Sequence, residues 1–290
     1  MQLTTIADLA QPTADRGLLI SRAMQLGALY DELKHTDNES YQYKVSIGTG
    51  RERKPGVHAS EMSNCQRLLV YSIMGTERQD AAAATADANM QMRFDIGNAV
   101  HAMVQNDFHR MCGRLGGAVT FEEEVRVCPE LGGAAAQWNM HSSCDGVFTF
   151  WHQGEAYLRV GLEIKTKSAP MFDKLVKPDD DHSEQTCLYM KALDLPLMWL
   201  FYYNKSNSNW TKPEAPYLYQ FDQHLWDTKL EPRFAQAHEW AAAAHLPPRE
   251  EGQQCRWCAF AWTCQPSKLK TRSYGPSSTA HRPGALRVVK

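Results

Sequence analysis

Two strand-like runs, 143–151 and 156–165, flank the turn His152-Gln153-Gly154-Glu155. A hairpin on so short a turn dictates which residues face each other, and no other feature constrains this chain as strongly. The turn sets Asp145 opposite Leu162 and beside Glu163, within one residue of register. In a strand, residues i and i+2 share a face, so Glu163 and Lys165 project together. Asp145, Glu163 and Lys165 therefore gather at one end of one hairpin. Two carboxylates held close repel each other unless a cation lies between them. Oxygen ligands suit Mg2+ or Mn2+, with positions left for water and substrate, and a nearby ammonium can steady a hydroxide or phosphate oxygen. An isolated Asp and Glu-x-Lys also describe an exposed hairpin with ordinary surface ion pairs.

The flanking sequence alternates helix and strand signals. Leu18, Leu19, Ala23, Leu26, Tyr30 and Leu33 give one apolar face to a helix over 15–34. Residues 35–55 read as a polar loop. Ser60 or Ser63 caps a second helix that carries Cys65 and Arg67 and ends near Gly75. An Ala-rich stretch from Asp80 leads into a long helix through Met92, Val100, Val104 and Phe108. Val119, Phe121, Val125 and Val127 mark a strand, with a loop at Gly132-Gly133. Beyond the hairpin come a helix over 183–193, a buried strand over 197–203, a strand over 217–221 and a helix over 222–244. The class is mixed α/β, without internal repeats.

Composition excludes several alternatives. No apolar run approaches the roughly 18 residues of a membrane helix, and the N-terminus has no basic-then-apolar leader. Membrane association is not expected, and a cytoplasmic location is (a bacterial, archaeal or bacteriophage-infected cell), with its eight cysteines reduced or bound to metal. The formal net charge of -2 hides an uneven distribution. From Gln265 onward the chain holds Lys268, Lys270, Arg272, Arg282, Arg287 and Lys290 and no acidic residue, which leaves the body at -8. With its prolines and glycines this run reads as a disordered tail, either a solubilising extension or a loose phosphate-contacting arm.

Four motifs in order resemble the PD-(D/E)XK nuclease superfamily, and more closely its RecB-like exonuclease branch. They are Gly97-x3-His101, Asp145, Glu163-Ile164-Lys165 and Gln185-x3-Tyr189. Gly97 and His101 lie one helical turn apart, as do Gln185 and Tyr189, so each pair shares a face. Gly97 permits close helix approach. The resemblance implies a restriction-endonuclease-like core, a central mixed sheet flanked by helices. It implies Asp145, Glu163, the Ile164 carbonyl and His101 as ligands of Mg2+ or Mn2+, and Lys165 as the group that positions or activates the nucleophile. By the same resemblance Gln185 holds the lysine or a phosphate, and Tyr189 stacks or hydrogen-bonds near the scissile strand. Arg67 and Lys205 are candidate phosphate contacts, and each also reads as a plain surface charge.

Cys255-x2-Cys258-x5-Cys264 is a compact chelating run whose fourth ligand must come from elsewhere. A subgroup of the same branch, which includes CRISPR-associated adaptation exonucleases and AddB-type subunits, closes an iron-sulfur cluster with one N-terminal and three C-terminal cysteines. Cys65 stands where that first ligand is expected, and Trp257, Phe260 and Trp262 would shield a 4Fe-4S cluster; zinc is the competing metal. Cys112, Cys128, Cys144 and Cys187 show no ligand spacing. The implied organisation is a helical region over 1–90, a nuclease core over 91–250, an iron-sulfur segment over 251–266 that packs back on the N-terminal region, and the tail over 267–290.

The expected activity is metal-dependent exonucleolytic hydrolysis of single-stranded DNA or DNA ends, in recombination, repair or bacteriophage DNA metabolism. The alternatives are a CRISPR adaptation-complex subunit working with an integrase, or a DNA-binding iron-sulfur module with a vestigial site. No G-x4-G-K-[ST] phosphate loop occurs, so any ATP motor is a separate helicase; a homo-oligomer is also allowed.

Overall fold

The hairpin at the centre of the sequence is also the centre of the computed structural model. The described residues are 15–36, 53–63, 65–78, 88–206, 209–210, 217–256 and 258–264. Most of the 35–55 loop, the Ala-rich approach up to residue 87, Trp257 and the basic tail lie outside them.

Strand β1 (Val119–Val127) pairs antiparallel with β2 (Ser142–His152), which pairs antiparallel with β3 (Glu155–Lys167). Gln153 and Gly154 turn the β2–β3 hairpin with φ of +50° and +84°, the left-handed backbone that two-residue hairpin loops need. His152 pairs with Glu155 and Trp151 with Ala156, but Phe150 pairs with Leu158, so β3 carries one extra residue there. This bulge moves the register by one, and continuing it beyond the Gly146–Leu162 pair brings Asp145 level with Glu163 rather than Leu162. Turn length alone does not reveal such an insertion.

Strand β4 (Leu197–Asn204) runs parallel to β3, reached by a crossover through the helix Asp180–Leu193. All eight residues of β4 are buried, as expected of a strand covered on both faces. Its other edge is shared: β5 (Asn209–Trp210) pairs at Tyr203 and Asn204, and β6 (Tyr217–Gln220) pairs at Leu197 to Leu200. Among the described residues the sheet thus has six strands and mixed direction.

Helices cover both faces. On one side α1 (Arg16–Thr36) and α2 (Ala88–Arg114) press Leu26, Tyr30, Val104 and Phe108 onto Phe148, Phe150, Leu162 and Phe201. The Phe108 ring sits 5.0 Å from Tyr30 and 5.0 Å from Phe148. On the other side the helices Gln66–Ile73, Asp180–Leu193 and Glu231–Ala242 enclose Leu69, Leu188, Met198, Trp226 and Phe234. Each large side chain buried this way contributes about 1.5–3 kcal/mol.

Three local expectations change. The second helix starts after Cys65, which is its N-cap, and Ser60 falls in a separate short turn, Ala59–Glu61. The 222–244 helix runs continuously over 223–242 but widens to a π-helical turn at Trp226–Leu230 between Gln223–Leu225 and Glu231–Ala242. Pro232, at the start of the last piece, has no N–H to continue a regular ladder. The Gly132-Gly133 loop contains a short helix, Gly133–Gln137.

Candidate active site

The end of the β2–β3 hairpin meets one face of α2. His101 Nδ1 lies 3.3 Å from Asp145 Oδ1. Gln105, one turn further along that face, donates through Nε2 to the Asp145 backbone carbonyl at 2.8 Å. Asp145 Oδ2 accepts the Ile164 N–H at 2.6 Å. Lys165 Nζ reaches Glu163 Oε1 and Gln185 Oε1, each at 2.8 Å. Thus His101, Asp145, Glu163, Ile164, Lys165 and Gln185 converge on one place.

Hydrogen bonds then close a circuit around it. Gln185 Nε2 donates to the Tyr189 hydroxyl at 3.3 Å, and Tyr189 donates to the Ser143 carbonyl at 2.7 Å. The Ser143 hydroxyl donates to Glu124 Oε2 at 2.8 Å, and Gln105 Nε2 also reaches Glu124 Oε1 at 3.2 Å. Tyr189 is buried and spends its hydroxyl on the strand, so it does not offer a stacking face to a nucleic-acid strand as expected. Gln185 holds the lysine. Sequence reasoning did not single out Gln105 or Glu124, although Gln105 follows His101 at helical spacing.

The electrostatics are uneven. Burial and the Asp145 charge push the Glu163 carboxyl up to about 7, against the pull of Lys165. Burial acts on Asp145 in the same sense, but His101 and the Ile164 N–H outweigh it and hold its carboxyl below the usual range. Burial opposes the charged form of His101, and the Asp145 charge overcomes that and raises it. Glu163 Oε2 is buried without a hydrogen-bond partner. Leaving such an acceptor bare is costly, and a divalent cation is the partner that two carboxylates and an imidazole suit. The donor set therefore fits the expected ion.

A second acidic group lies nearby. Asp179, Asp181 and His182 place three ligand atoms within 4.8 Å of one another, the one group that tight among the described residues. Lys167 already pairs with Asp179, so an ammonium occupies the place of a cation. His182 is held by the Tyr202 hydroxyl at 2.7 Å, and burial with the Lys165 charge lowers it to about 4. Lys205, just past β4, donates its backbone N–H to the Lys167 carbonyl, which places it at this end of the sheet. At Gly97 an added Cβ would meet Thr166 Oγ1 at 3.8 Å, an ordinary contact, so close approach does not require glycine there.

The four cysteines of the expected cluster are free thiols that influence one another: Cys255 and Cys264 act on Cys65, and all three act on Cys258. Burial raises Cys258 to about 11. Cys65, Cys258 and Cys264 pack around Leu68, Tyr71 and the fully buried Phe260. An all-sulfur donor set fits a metal centre. Trp262 is 44% exposed and does not provide the expected shield. Arg67 faces inward: its Nε and one terminal nitrogen donate to the Pro247 carbonyl at 3.0 and 2.7 Å, and the other approaches Cys264 Sγ at 3.7 Å. It is thereby committed within the chain rather than to a phosphate.

No family model matches the chain, and no curated protein does. The crystal structure of SSO0001 aligns with 86% of this chain and 97% of that one, at 16% identity and a TM-score of 0.42. An alkaline exonuclease, LHK-Exo from Laribacter hongkongensis, aligns with 66% of this chain and 90% of its own, at 13% identity and a TM-score of 0.38. Its complex with dAMP gives 12% identity and 0.37. Likeness this distant assigns neither family nor activity. No helix among the described residues is long and apolar enough to cross a membrane.

Proposed function

We infer that the protein is a divalent-cation-dependent deoxyribonuclease of the PD-(D/E)XK type, acting as an exonuclease on single-stranded DNA or DNA ends. The observation that carries this reading is the buried, unpartnered Glu163 Oε2 beside Asp145, with Lys165 on the same strand face. Asp145, Glu163, His101 and the Ile164 carbonyl would hold Mg2+ or Mn2+. The cation supplies charge neutralisation at a scissile phosphate.

The chain's own residues do the positioning. Gln185 fixes the Lys165 ammonium, which orients the attacking water or a phosphate oxygen. Tyr189 ties the helix that carries Gln185 to β2 at Ser143, beside Asp145. Lys205 offers a phosphate contact at the same sheet end. Cys65, Cys255, Cys258 and Cys264 would hold a 4Fe-4S cluster, whose contribution is to tie a segment of about 190 residues into a closed loop.

DNA labelled separately at its 5′ and 3′ ends, incubated with Mg2+, Mn2+ or chelator, tests the reading. Cation-dependent release of label by the wild type and its loss in Glu163→Gln and Lys165→Ala are expected. A wild type that cleaves nothing, or variants that cleave equally well, would end it.

A further inference from the structure

Strands β1 and β2 change faces at one point. Val119 and Phe121 pack into the core under α1 and α2, whereas Val125 and Val127 pack into the opposite core, although all four are odd-numbered. On β2, Phe148 and Phe150 belong to the first core and Cys144 to the second. Regular side-chain alternation cannot do this. The change falls between the pairs Glu123–Gly146 and Val125–Cys144, where Glu124 stands level with Asp145. Glu124 has φ of +52°, a left-handed conformation that a residue with a side chain rarely adopts. Both of its carboxylate oxygens are engaged, one by buried Gln105 and one by Ser143. The same Gln105 amide holds the Asp145 carbonyl.

We propose that Glu124 is a positioning residue for Asp145. Its left-handed turn re-aims the Asp145 side chain, as strand irregularities beside active sites do. Its carboxylate, through Gln105, anchors the Asp145 backbone so that the two carboxylate oxygens meet His101 and the Ile164 N–H. This rests on the reading of the site as a cation site.

Residue type separates positioning from scaffolding. Glycine adopts positive φ freely, so Glu124→Gly keeps the turn, relieves strain and deletes only the carboxylate. Mn2+ affinity by titration calorimetry and thermal unfolding in chelator, both on the full chain, test the proposal. Glu124→Gly is expected to unfold near the wild-type temperature, since the relieved strain offsets the lost hydrogen bonds, yet bind Mn2+ about 10-fold more weakly. Glu124→Gln, which keeps an acceptor, should recover part of the loss, and Gln105→Leu should weaken binding likewise. Unchanged Mn2+ affinity in Glu124→Gly, or a loss that merely tracks lower stability, overturns the role of Glu124 and leaves the nuclease reading standing. A wild type that binds no Mn2+ overturns both.

Discussion

The Lys165 ammonium stands 2.8 Å from Glu163 Oε1, while Oε2 of the same carboxylate is buried with no partner. One half of the carboxylate is satisfied by the chain, and the other is the atom that the proposed cation would meet. Glu163→Gln should therefore cut cation-dependent cleavage by at least about 100-fold and weaken Mn2+ binding. Without cation it should unfold no earlier than the wild type above about pH 7, where burial and the Asp145 charge oppose the ionised carboxylate more than Lys165 favours it. Retained cleavage would exclude Glu163 from the chemistry.

The raised Glu163 carboxyl has a consequence for the cation-free protein. A carboxyl whose folded value is about 7 against an ordinary 4.5 binds its proton more tightly when folded. Its contribution to stability is fully present below the unfolded value and is lost as pH rises through the folded one. Every tenfold gain in proton affinity on folding corresponds to about 1.4 kcal/mol. In chelator, wild-type stability relative to Glu163→Gln should fall as pH rises between these two values. Parallel denaturation curves would exclude the effect.

Tyr189→Phe keeps the ring and deletes the hydroxyl that serves the Ser143 carbonyl and Gln185. A stability loss of about 1–3 kcal/mol is expected in urea titrations. Cleavage should fall through the rate at saturating DNA rather than through KM, since the ring touches no substrate.

Cys65→Ala removes the one proposed cluster ligand outside the C-terminal run. Loss of broad visible absorption and of bound iron, with a lower unfolding temperature, is the expected result under anaerobic purification. A colourless wild type with stoichiometric zinc would assign the centre to zinc instead.

Arg67→Met deletes the fork that links the helix Gln66–Ile73 to Pro247 and Cys264. Faster loss of bound metal to a chelator is expected, with DNA affinity unchanged. Weaker DNA binding at constant metal content would restore Arg67 to the phosphate-contacting role.

Local pattern was enough for the hairpin, the all-buried β4, α1 and the grouping of Asp145 with Glu163 and Lys165, because strand and helix periodicity each relate residues a few positions apart. The joining of His101, 44 residues before Asp145, to the same place came from family resemblance, not from spacing.

Tertiary structure decided what depends on distant packing. The bulge near Phe150 set the final register, and a π-helical turn before Pro232 widened the last long helix. Glu124 accepts a strained backbone because Gln105 and Ser143, far away in the chain or across a strand, engage its carboxylate. Arg67 turned inward because Pro247 supplies a carbonyl 180 residues later. By itself the sequence determined which groups could do chemistry. Only the fold decided which of their atoms are satisfied, since hydrogen bonds across the sheet and between layers are not encoded in any local spacing.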